Sequence, residues 1–230
     1  MNIGGMQKIS MVDYPGHLCC TVFLSGCNLR CSFCHNPSLV GCCDKSAEIP
    51  TDEVIEFLEK RKGLLDAVCI TGGEPTLNPK LERFIETIRN MGYKVKLDTN
   101  GTQPGVIKRL LDKAMIDYIA VDIKATDEKY SAITGCNVRI EDINETIELV
   151  MNSGVDYEFR TTFMPDLDAR DIQEIAQKIA GSKKYVVQQF RNSTTLDSEC
   201  SKKEPHDTEY INSVVRNVSP LFQCCEARGI

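Results

Sequence analysis

Six short runs of apolar, largely β-branched residues alternate with amphipathic segments along most of the chain. The predicted strands are 19–24, 67–71, 95–99, 118–123, 157–162 and 185–190, and the predicted helices are 51–61, 79–90, 104–113, 140–152, 168–180 and 207–218. Thr51 precedes two acidic residues and is the expected N-cap of the first helix. Strands and helices that alternate at this spacing predict an α/β fold with a parallel sheet, for which a flavodoxin-like doubly wound order is one architecture.

The loop that follows the first predicted strand carries three cysteines, Cys27, Cys31 and Cys34, in the spacing C-x3-C-x2-C. Structural zinc prefers two separated cysteine pairs, and no second C-x2-C pair exists. Cys31 to His35 also satisfies a haem-attachment pattern, although that pattern leaves Cys27 without a role. Inert buried thiols are a further alternative. Three clustered thiolates favour an iron–sulfur cluster, in which three cysteines bind three irons and leave a fourth iron open.

This loop, with Phe33 just before its third cysteine, resembles the signature of the radical S-adenosylmethionine (SAM) superfamily. The resemblance implies one [4Fe-4S] cluster on Cys27, Cys31 and Cys34, and SAM bound through its amino and carboxylate groups at the open iron. It also implies reductive cleavage of SAM to methionine and a 5′-deoxyadenosyl radical that takes a hydrogen atom from the substrate. Among α/β architectures it favours a partial (β/α)6 TIM-like barrel, open on one side.

A second motif, Gly72-Gly73-Glu74-Pro75, stands at the end of the second predicted strand. Two glycines there permit close approach of a ligand, and a plain turn between a strand and a helix is the simpler interpretation. At this distance after the cysteines the motif resembles the Gly-Gly-Glu-Pro element of the same superfamily. The resemblance implies that Gly72, Gly73 and Glu74 hold the SAM amino group and that Phe33 packs against adenine.

Polar residues follow the predicted strands at their carboxyl ends, where α/β barrels usually place their sites. They are Glu74, Asp98, Thr99, Asp122, Lys124, Arg160 and Gln188. Two neighbouring carboxylates, Asp98 and Asp122, either share a proton or bind a cation, although Asp98 could instead cap a turn. By resemblance to pyruvate formate-lyase activating enzyme, Asp98, Thr99 and Asp122 form a monovalent-cation site. Lys124, Arg160 and Gln188 are expected to contact SAM or the cluster region.

Several short motifs resemble those of activating enzymes for glycyl radical enzymes. They are the Asp-x-Pro-Gly element at Asp13, Cys34-His35-Asn36-Pro37, Asp98-Thr99-Asn100-Gly101 and Asp122-Ile123-Lys124. Gln188-Gln189-Phe190-Arg191 and Thr195-Leu196-Asp197 further resemble the activating protein of anaerobic ribonucleoside-triphosphate reductase. This resemblance implies that reductase as the partner and flavodoxin or ferredoxin as the electron donor.

Three alternatives stay open. The chain could activate another glycyl radical enzyme, of the pyruvate formate-lyase type, or act on a small molecule, as 7-carboxy-7-deazaguanine synthase does. A non-catalytic iron–sulfur or zinc protein is the alternative from a different class, and it would require neither SAM nor the Gly72-Gly73-Glu74 motif.

Composition places this chemistry in one cytoplasmic domain. The 230 residues are 42% hydrophobic with a net charge of −6, and neither a basic run nor an apolar membrane span is present, so nucleic acid and membrane are not expected as partners. Twelve cysteines without an export leader indicate reduced thiols. We expect a single domain over 1–230, with a core at about 17–190 and a helical extension at about 200–225. No role is assigned to Cys42, Cys43, Cys136, Cys200, Cys224 or Cys225.

Overall fold

The computed structural model describes residues 1–41 and 48–230. These residues form two compact units. The first comprises Met1–Asn28, Ser38–Thr99 and Gln103–Ile119, and the second comprises Leu29–Pro37, Asn100–Thr102 and Ala120–Ile230.

The first unit is built on a mixed sheet whose strands follow the chain order. Its strands are β1 (Ile3–Ser10), β2 (Cys19–Leu24), β3 (Ala67–Gly72), β4 (Lys94–Thr99) and the first two residues of β5 (Tyr118–Asp122). Its helices are α1 (Pro37–Val40, from Ser38 onward in this unit), α2 (Thr51–Glu59), α3 (Leu81–Asn90) and α4 (Pro104–Asp112). β1 runs antiparallel to β2, whereas β2, β3 and β4 are parallel.

The second unit continues with the last three residues of β5. Its further strands are β6 (Asp156–Phe163), β7 (Lys184–Gln189) and β8 (Cys224–Arg228), and its helices are α5 (Tyr130–Thr134), α6 (Ile140–Met151), α7 (Ala169–Lys178) and α8 (Thr208–Val218). β6, β7 and β8 pair in parallel and in chain order. Among the described residues no helix is long and apolar enough to cross a membrane.

All six predicted strands and all six predicted helices are present, with bounds that differ by two residues or fewer. The strands are buried on both faces, as parallel strands covered by helices must be, so they consist of nearly continuous apolar runs. The helices bury one stripe each, such as Leu81, Phe84, Ile85 and Ile88 of α3. Continuous apolar runs in the strands and one apolar stripe in each helix explain why the sequence predicts this part of the fold.

Two strands and one cap differ from the expectation. β1 lies before the first predicted strand, and no alternation announces it because only its ends, Ile3 and Ser10, are buried. β8 falls at the end of the predicted helical extension, and its residues include charged side chains and no apolar run. Thr51 is the first residue of α2 rather than its N-cap, and its hydroxyl accepts a hydrogen bond from the amino terminus.

The Asp-x-Pro-Gly element forms a turn between β1 and β2. The His17 N–H donates to the Tyr14 carbonyl oxygen over 3.1 Å, and Gly16 has a φ of +75°. This left-handed conformation is the one that glycine adopts at no steric cost, which explains why a glycine ends this turn. The Asp13 carboxylate accepts a hydrogen bond of 2.6 Å from the Thr21 hydroxyl, which ties the element to β2.

Candidate active site

The glycine pair at the end of β3 packs directly against the backbone that precedes the first cysteine. A Cβ atom on Gly72 would lie 2.3 Å from the Leu24 backbone, and one on Gly73 would lie 2.2 Å from the Gly26 carbonyl oxygen. The Gly73 N–H donates to Leu24 O over 2.7 Å, and the Glu74 N–H donates to Gly26 O over 2.8 Å. No side chain fits at either glycine, and their packing sets the path of the chain into Cys27.

Glu74 is buried at this strand end, with 2% of its surface exposed. Its Oε1 atom accepts hydrogen bonds from the Thr76 N–H, the Thr76 hydroxyl and, over 2.7 Å, the Thr99 hydroxyl. The structure therefore brings together two of the predicted site residues, Glu74 and Thr99. The three donors also hold the carboxylate in one orientation beside the glycine pair.

Asp98 lies on β4 beside a lysine that the sequence analysis did not single out. The Lys96 ammonium donates to Asp98 Oδ1, and the Cys69 thiol lies 3.9 Å from the same oxygen. Lys96 is only 2% exposed, so the ion pair supplies a buried cation with its counter-charge. The sequence does contain a signal for this lysine, because Lys96 and Asp98 alternate with apolar Val95 and Leu97 in a strand buried on both faces.

The side chain of Asn100 caps the turn after β4. Asn100 Oδ1 accepts hydrogen bonds from the Thr102 N–H and hydroxyl, over 3.0 and 2.7 Å. Capping of this turn by Asp98 stays a prediction. Asp98 belongs to the first unit and Asp122 to the second, so their predicted proximity and the cation site stay predictions.

In the second unit the loop residues Cys31 and Phe33 are buried and Cys34 is partly exposed. The Cys34 N–H donates to Cys31 O over 3.0 Å, which closes a tight turn between these two cysteines. The Lys124 ammonium lies 5.8 Å from the centroid of the Phe33 ring, in a cation–π arrangement. Lys124, predicted to serve the cluster region, thus contacts the loop through its aromatic residue.

Asp122 is held between two cations. It accepts a hydrogen bond of 2.8 Å from Arg160 Nε and one of 3.0 Å from Lys124 Nζ. Burial alone would raise the pKa of Asp122, but the Arg160 guanidinium and the Lys124 ammonium outweigh it and hold the pKa well below its usual range. For Lys124, burial favours a lower pKa, and the charges of Asp122 and Cys31 reverse this and raise it. The three predicted residues Asp122, Lys124 and Arg160 therefore form one charged group.

Glu158 is a buried carboxylate that sequence reasoning missed. It is 1% exposed, and Arg228 on β8 donates to both of its oxygens over 3.1 and 2.9 Å. Arg160 NH1 lies 3.8 Å from Glu158 as well. β8 therefore supplies the main counter-charge for Glu158, which lies on the same face of β6 as Arg160. Nothing local in the sequence predicts that residues 158 and 228 form a pair.

Gln188 and the described cysteines without an assigned role lie at separate places in the fold. Gln188 is half-buried on β7 and stands opposite Arg228 in the register with β8. Cys200 is buried, Cys136 and Cys225 are partly exposed and Cys224 is exposed, while Cys42 and Cys43 lie outside the described residues. Within the described ranges, no group of three or more His, Cys, Asp or Glu side chains is spaced to hold a single metal ion. A cluster differs from such a site because each cysteine binds a different iron.

The chemistry of the donor set fits the implied cluster. Cys27, Cys31 and Cys34 are all free of disulfides, and soft thiolates are the ligands that iron–sulfur clusters require. The glycine pair brings the end of β3 into backbone contact with Leu24 and Gly26, so the second motif lies against the segment that leads into Cys27. Both observations match what the sequence motifs imply.

Comparisons with known proteins place these features in a family. Residues 21–179 match the radical SAM superfamily. A protein of Methanocaldococcus jannaschii named "putative glycyl-radical enzyme activating enzyme" is 34% identical over 96% of this chain and 98% of its own length. The pyruvate formate-lyase-activating enzyme of Clostridium pasteurianum is 30% identical over 83% of this chain and 77% of its own length.

Solved structures agree at the level of the fold. SuiB of Streptococcus suis, bound to SAM, superposes with a TM-score of 0.70 at 17% identity over 88% of this chain, and the chain spans 48% of SuiB. A domain of a pyruvate-formate lyase-activating enzyme from Bacteroides vulgatus gives a TM-score of 0.58 at 17% identity, over 71% of this chain and 99% of that domain. The predicted α/β fold class is confirmed, and the doubly wound alternative is set aside.

Proposed function

The chain belongs to the radical SAM superfamily and to its glycyl-radical enzyme activating enzymes, and from that membership we propose that it generates a glycyl radical on anaerobic ribonucleoside-triphosphate reductase. The observation that carries the activase assignment is the similarity over nearly the full length of both chains, 34% identity across 96% and 98%. The choice of this reductase rests on the resemblance of the segments at Gln188 and Thr195. An electron donor of the flavodoxin or ferredoxin kind would serve it, in a reducing cytoplasm suited to free thiols.

When bound, the cluster supplies one electron at its open iron and SAM supplies the adenosyl group that abstracts hydrogen from the target glycine. We assign Cys27, Cys31 and Cys34 to the cluster. Gly72 and Gly73 pack against the backbone of Leu24 and Gly26, which places the end of β3 beside the segment that leads into Cys27, and Thr76 and Thr99 hold the Glu74 carboxylate in one orientation there. Gly72, Gly73 and Glu74 would hold the SAM amino group.

The charged group of the second unit serves the anionic side of the ligand. Asp122 keeps Lys124 and Arg160 ordered at the strand ends, where two cations suit a carboxylate. By resemblance to the family, Phe33 beside Lys124 would pack against adenine, and Gln188 on β7 would contact SAM or the cluster region. The protein thereby orients SAM and excludes water, while the cofactors supply the difficult chemistry.

A monovalent cation at Asp98, Thr99 and Asp122 stays part of the proposal. Each of these side chains already has a protein partner: Lys96 for Asp98, Glu74 for Thr99, and Lys124 with Arg160 for Asp122. A cation would therefore join existing contacts. We also propose a single functional domain over 1–230.

The decisive experiment loads the protein with iron and sulfide without oxygen, adds SAM and a reductant, and measures 5′-deoxyadenosine with and without the reductase. The expected result is product that increases with the reductase, together with a glycyl-radical signal on it in electron paramagnetic resonance. Cys31→Ala is the matched control and should abolish both. Product without a radical on the reductase would refute that partner.

A second target has specific support. The chain is 30% identical to the pyruvate formate-lyase-activating enzyme of Clostridium pasteurianum over 83% of its length. The same assay with pyruvate formate-lyase in place of the reductase separates the two partners. A radical on the lyase alone would assign the chain to that type.

A further inference from the structure

The segment from Arg191 to Glu199, which we name the strap, joins β7 to a short 3-10 turn in the second unit. It contains no helix or strand, and most of its residues are exposed. It includes the Thr195-Leu196-Asp197 motif, to which the proposed function gives no role. Holding such a segment in one irregular path costs conformational entropy, so specific contacts must order it.

Two of those contacts reach the cysteine loop. The Asp197 N–H donates to the Ser32 carbonyl oxygen over 3.0 Å, and His35 Nδ1 lies 3.2 Å from the Thr194 carbonyl oxygen. The centroid of the His35 ring also lies 6.4 Å from that of Phe190, the residue just before the strap. Ser32 and His35 lie on either side of Cys34 in the sequence, so the strap contacts both ends of the segment 32–35 that carries this cysteine.

The end of α5 also holds the loop. The Arg30 N–H donates to Thr134 O over 2.8 Å. Gly135 caps the helix with a φ of +65°, and a Cβ there would lie 2.7 Å from the Arg30 carbonyl oxygen. The tethers at Arg30 and Ser32 flank Cys31, just as those at Ser32 and His35 flank Cys34.

The position of the Asp197 amide is itself fixed by side chains of the strap. Asp197 Oδ1 accepts a hydrogen bond of 2.9 Å from the Glu199 N–H. The Asp197 carbonyl oxygen accepts bonds of 2.6 Å from the Thr195 hydroxyl and 3.0 Å from the Cys200 N–H. Cys200 is 1% exposed and anchors the end of the strap in the core. The side chains of Thr195 and Asp197 thus hold the Asp197 N–H in the position from which it donates to the Ser32 carbonyl oxygen.

We propose that the strap is a positioning element for Cys31 and Cys34, and that Asp197 is the positioning residue through which it acts. The proposal rests on the assignment of these cysteines to the cluster in the proposed function. A cluster can be assembled on a preformed pair of thiols without the entropy loss of ordering the loop first. The strap supplies that order through contacts that need no side chain from the loop except His35.

The test measures the rate at which iodoacetamide alkylates Cys34 in the metal-free protein, with Cys224 as the exposed reference in the same sample. Asp197→Ala removes the Oδ1 acceptor and should accelerate Cys34 alkylation roughly five-fold, the equivalent of one hydrogen bond of about 1 kcal/mol. Asp197→Asn retains the acceptor and should restore the wild-type rate. Glu199→Gln, which loses only an exposed ion pair with Lys202, is the matched control and should change nothing.

Cluster content and the electron paramagnetic resonance spectrum of the reduced cluster provide the second measurement, with lower iron content expected for Asp197→Ala alone. Unchanged Cys34 alkylation in a folded Asp197→Ala protein would overturn the proposal, as would a failure of Asp197→Asn to restore the rate. If Asp197→Ala does not fold, Thr195→Val tests the same amide by removing the 2.6 Å bond, and an unchanged rate would again overturn it. The alkylation result does not depend on SAM cleavage, so failure of the proposed function is seen separately.

Discussion

Replacing Gly73 with alanine tests whether backbone contact between β3 and the cysteine loop holds the candidate site together. The new Cβ would lie 2.2 Å from the Gly26 carbonyl oxygen and 2.7 Å from its carbonyl carbon. Both atoms are backbone, so no side chain can move aside. The loop before Cys27 must therefore shift by about 1 Å to reach an ordinary contact distance.

The expected cost combines overpacking and a weakened hydrogen bond. Forcing an extra methyl group into a filled space costs about 2 kcal/mol, and displacement of Gly26 weakens the 2.8 Å bond from the Glu74 N–H, which contributes about 1 kcal/mol. Gly73→Ala should therefore lower the free energy of unfolding by about 3 kcal/mol. Since Gly26 precedes Cys27, we also expect less iron bound after reconstitution.

Urea unfolding of the metal-free protein measures the first effect, and iron and sulfide analysis after reconstitution measures the second. Gly105→Ala is the matched control, because this glycine lies in α4 and the nearest atom to an added Cβ is Arg109 NH1 at 4.0 Å. It should raise the free energy of unfolding by about 0.5 kcal/mol, as alanine does at a compatible helical position. If Gly73→Ala instead matched the wild type within about 0.5 kcal/mol, close packing of β3 on the loop could not be what places Cys27.

Three further predictions concern residues outside the loop. Arg228→Ala should lower the free energy of unfolding by about 2 kcal/mol, because it removes the bidentate partner of the buried Glu158. The loss stays below that of a fully buried pair, since the Arg228 side chain is 36% exposed. Thermal unfolding measures it, and a loss no larger than that of an exposed ion pair would contradict this role. Burial, with Cys19 beside it, raises the pKa of the Cys20 thiol to about 12. The unfolded chain therefore releases this proton first, and the free energy of unfolding should fall as the pH rises from about 8.5 toward 12. A Cys20→Ala protein whose free energy of unfolding falls equally steeply over this pH range would rule this out. Asp168→Ala removes the acceptor for two backbone N–H groups at the start of α7 and should lower the urea midpoint of unfolding, whereas Asp168→Asn, which keeps an acceptor oxygen, should stay close to the wild type.

The sequence by itself determined the features that depend on neighbours along the chain. The alternation of buried strands with one-sided helices predicted all six strands and all six helices within two residues, because both periodicities are set by local backbone geometry. The cysteine spacing and the Gly72-Gly73-Glu74 motif identified the family, since the chemistry needs those residue types close together in one loop. The Pro-Gly turn before β2 belongs to the same class.

Only the tertiary structure decided which groups compensate one another across long separations in sequence. Glu158 finds its counter-charge 70 residues away on β8, and Asp197, in the segment that follows β7, donates its backbone N–H to Ser32 of the cysteine loop. β1 and β8 were missed for a related reason, since their pairing partners rather than their own residues make them strands. A buried charge or an unpaired backbone N–H must find a partner somewhere in the folded chain, but composition and periodicity do not say where. That choice is made only when the sheet brings distant residues side by side.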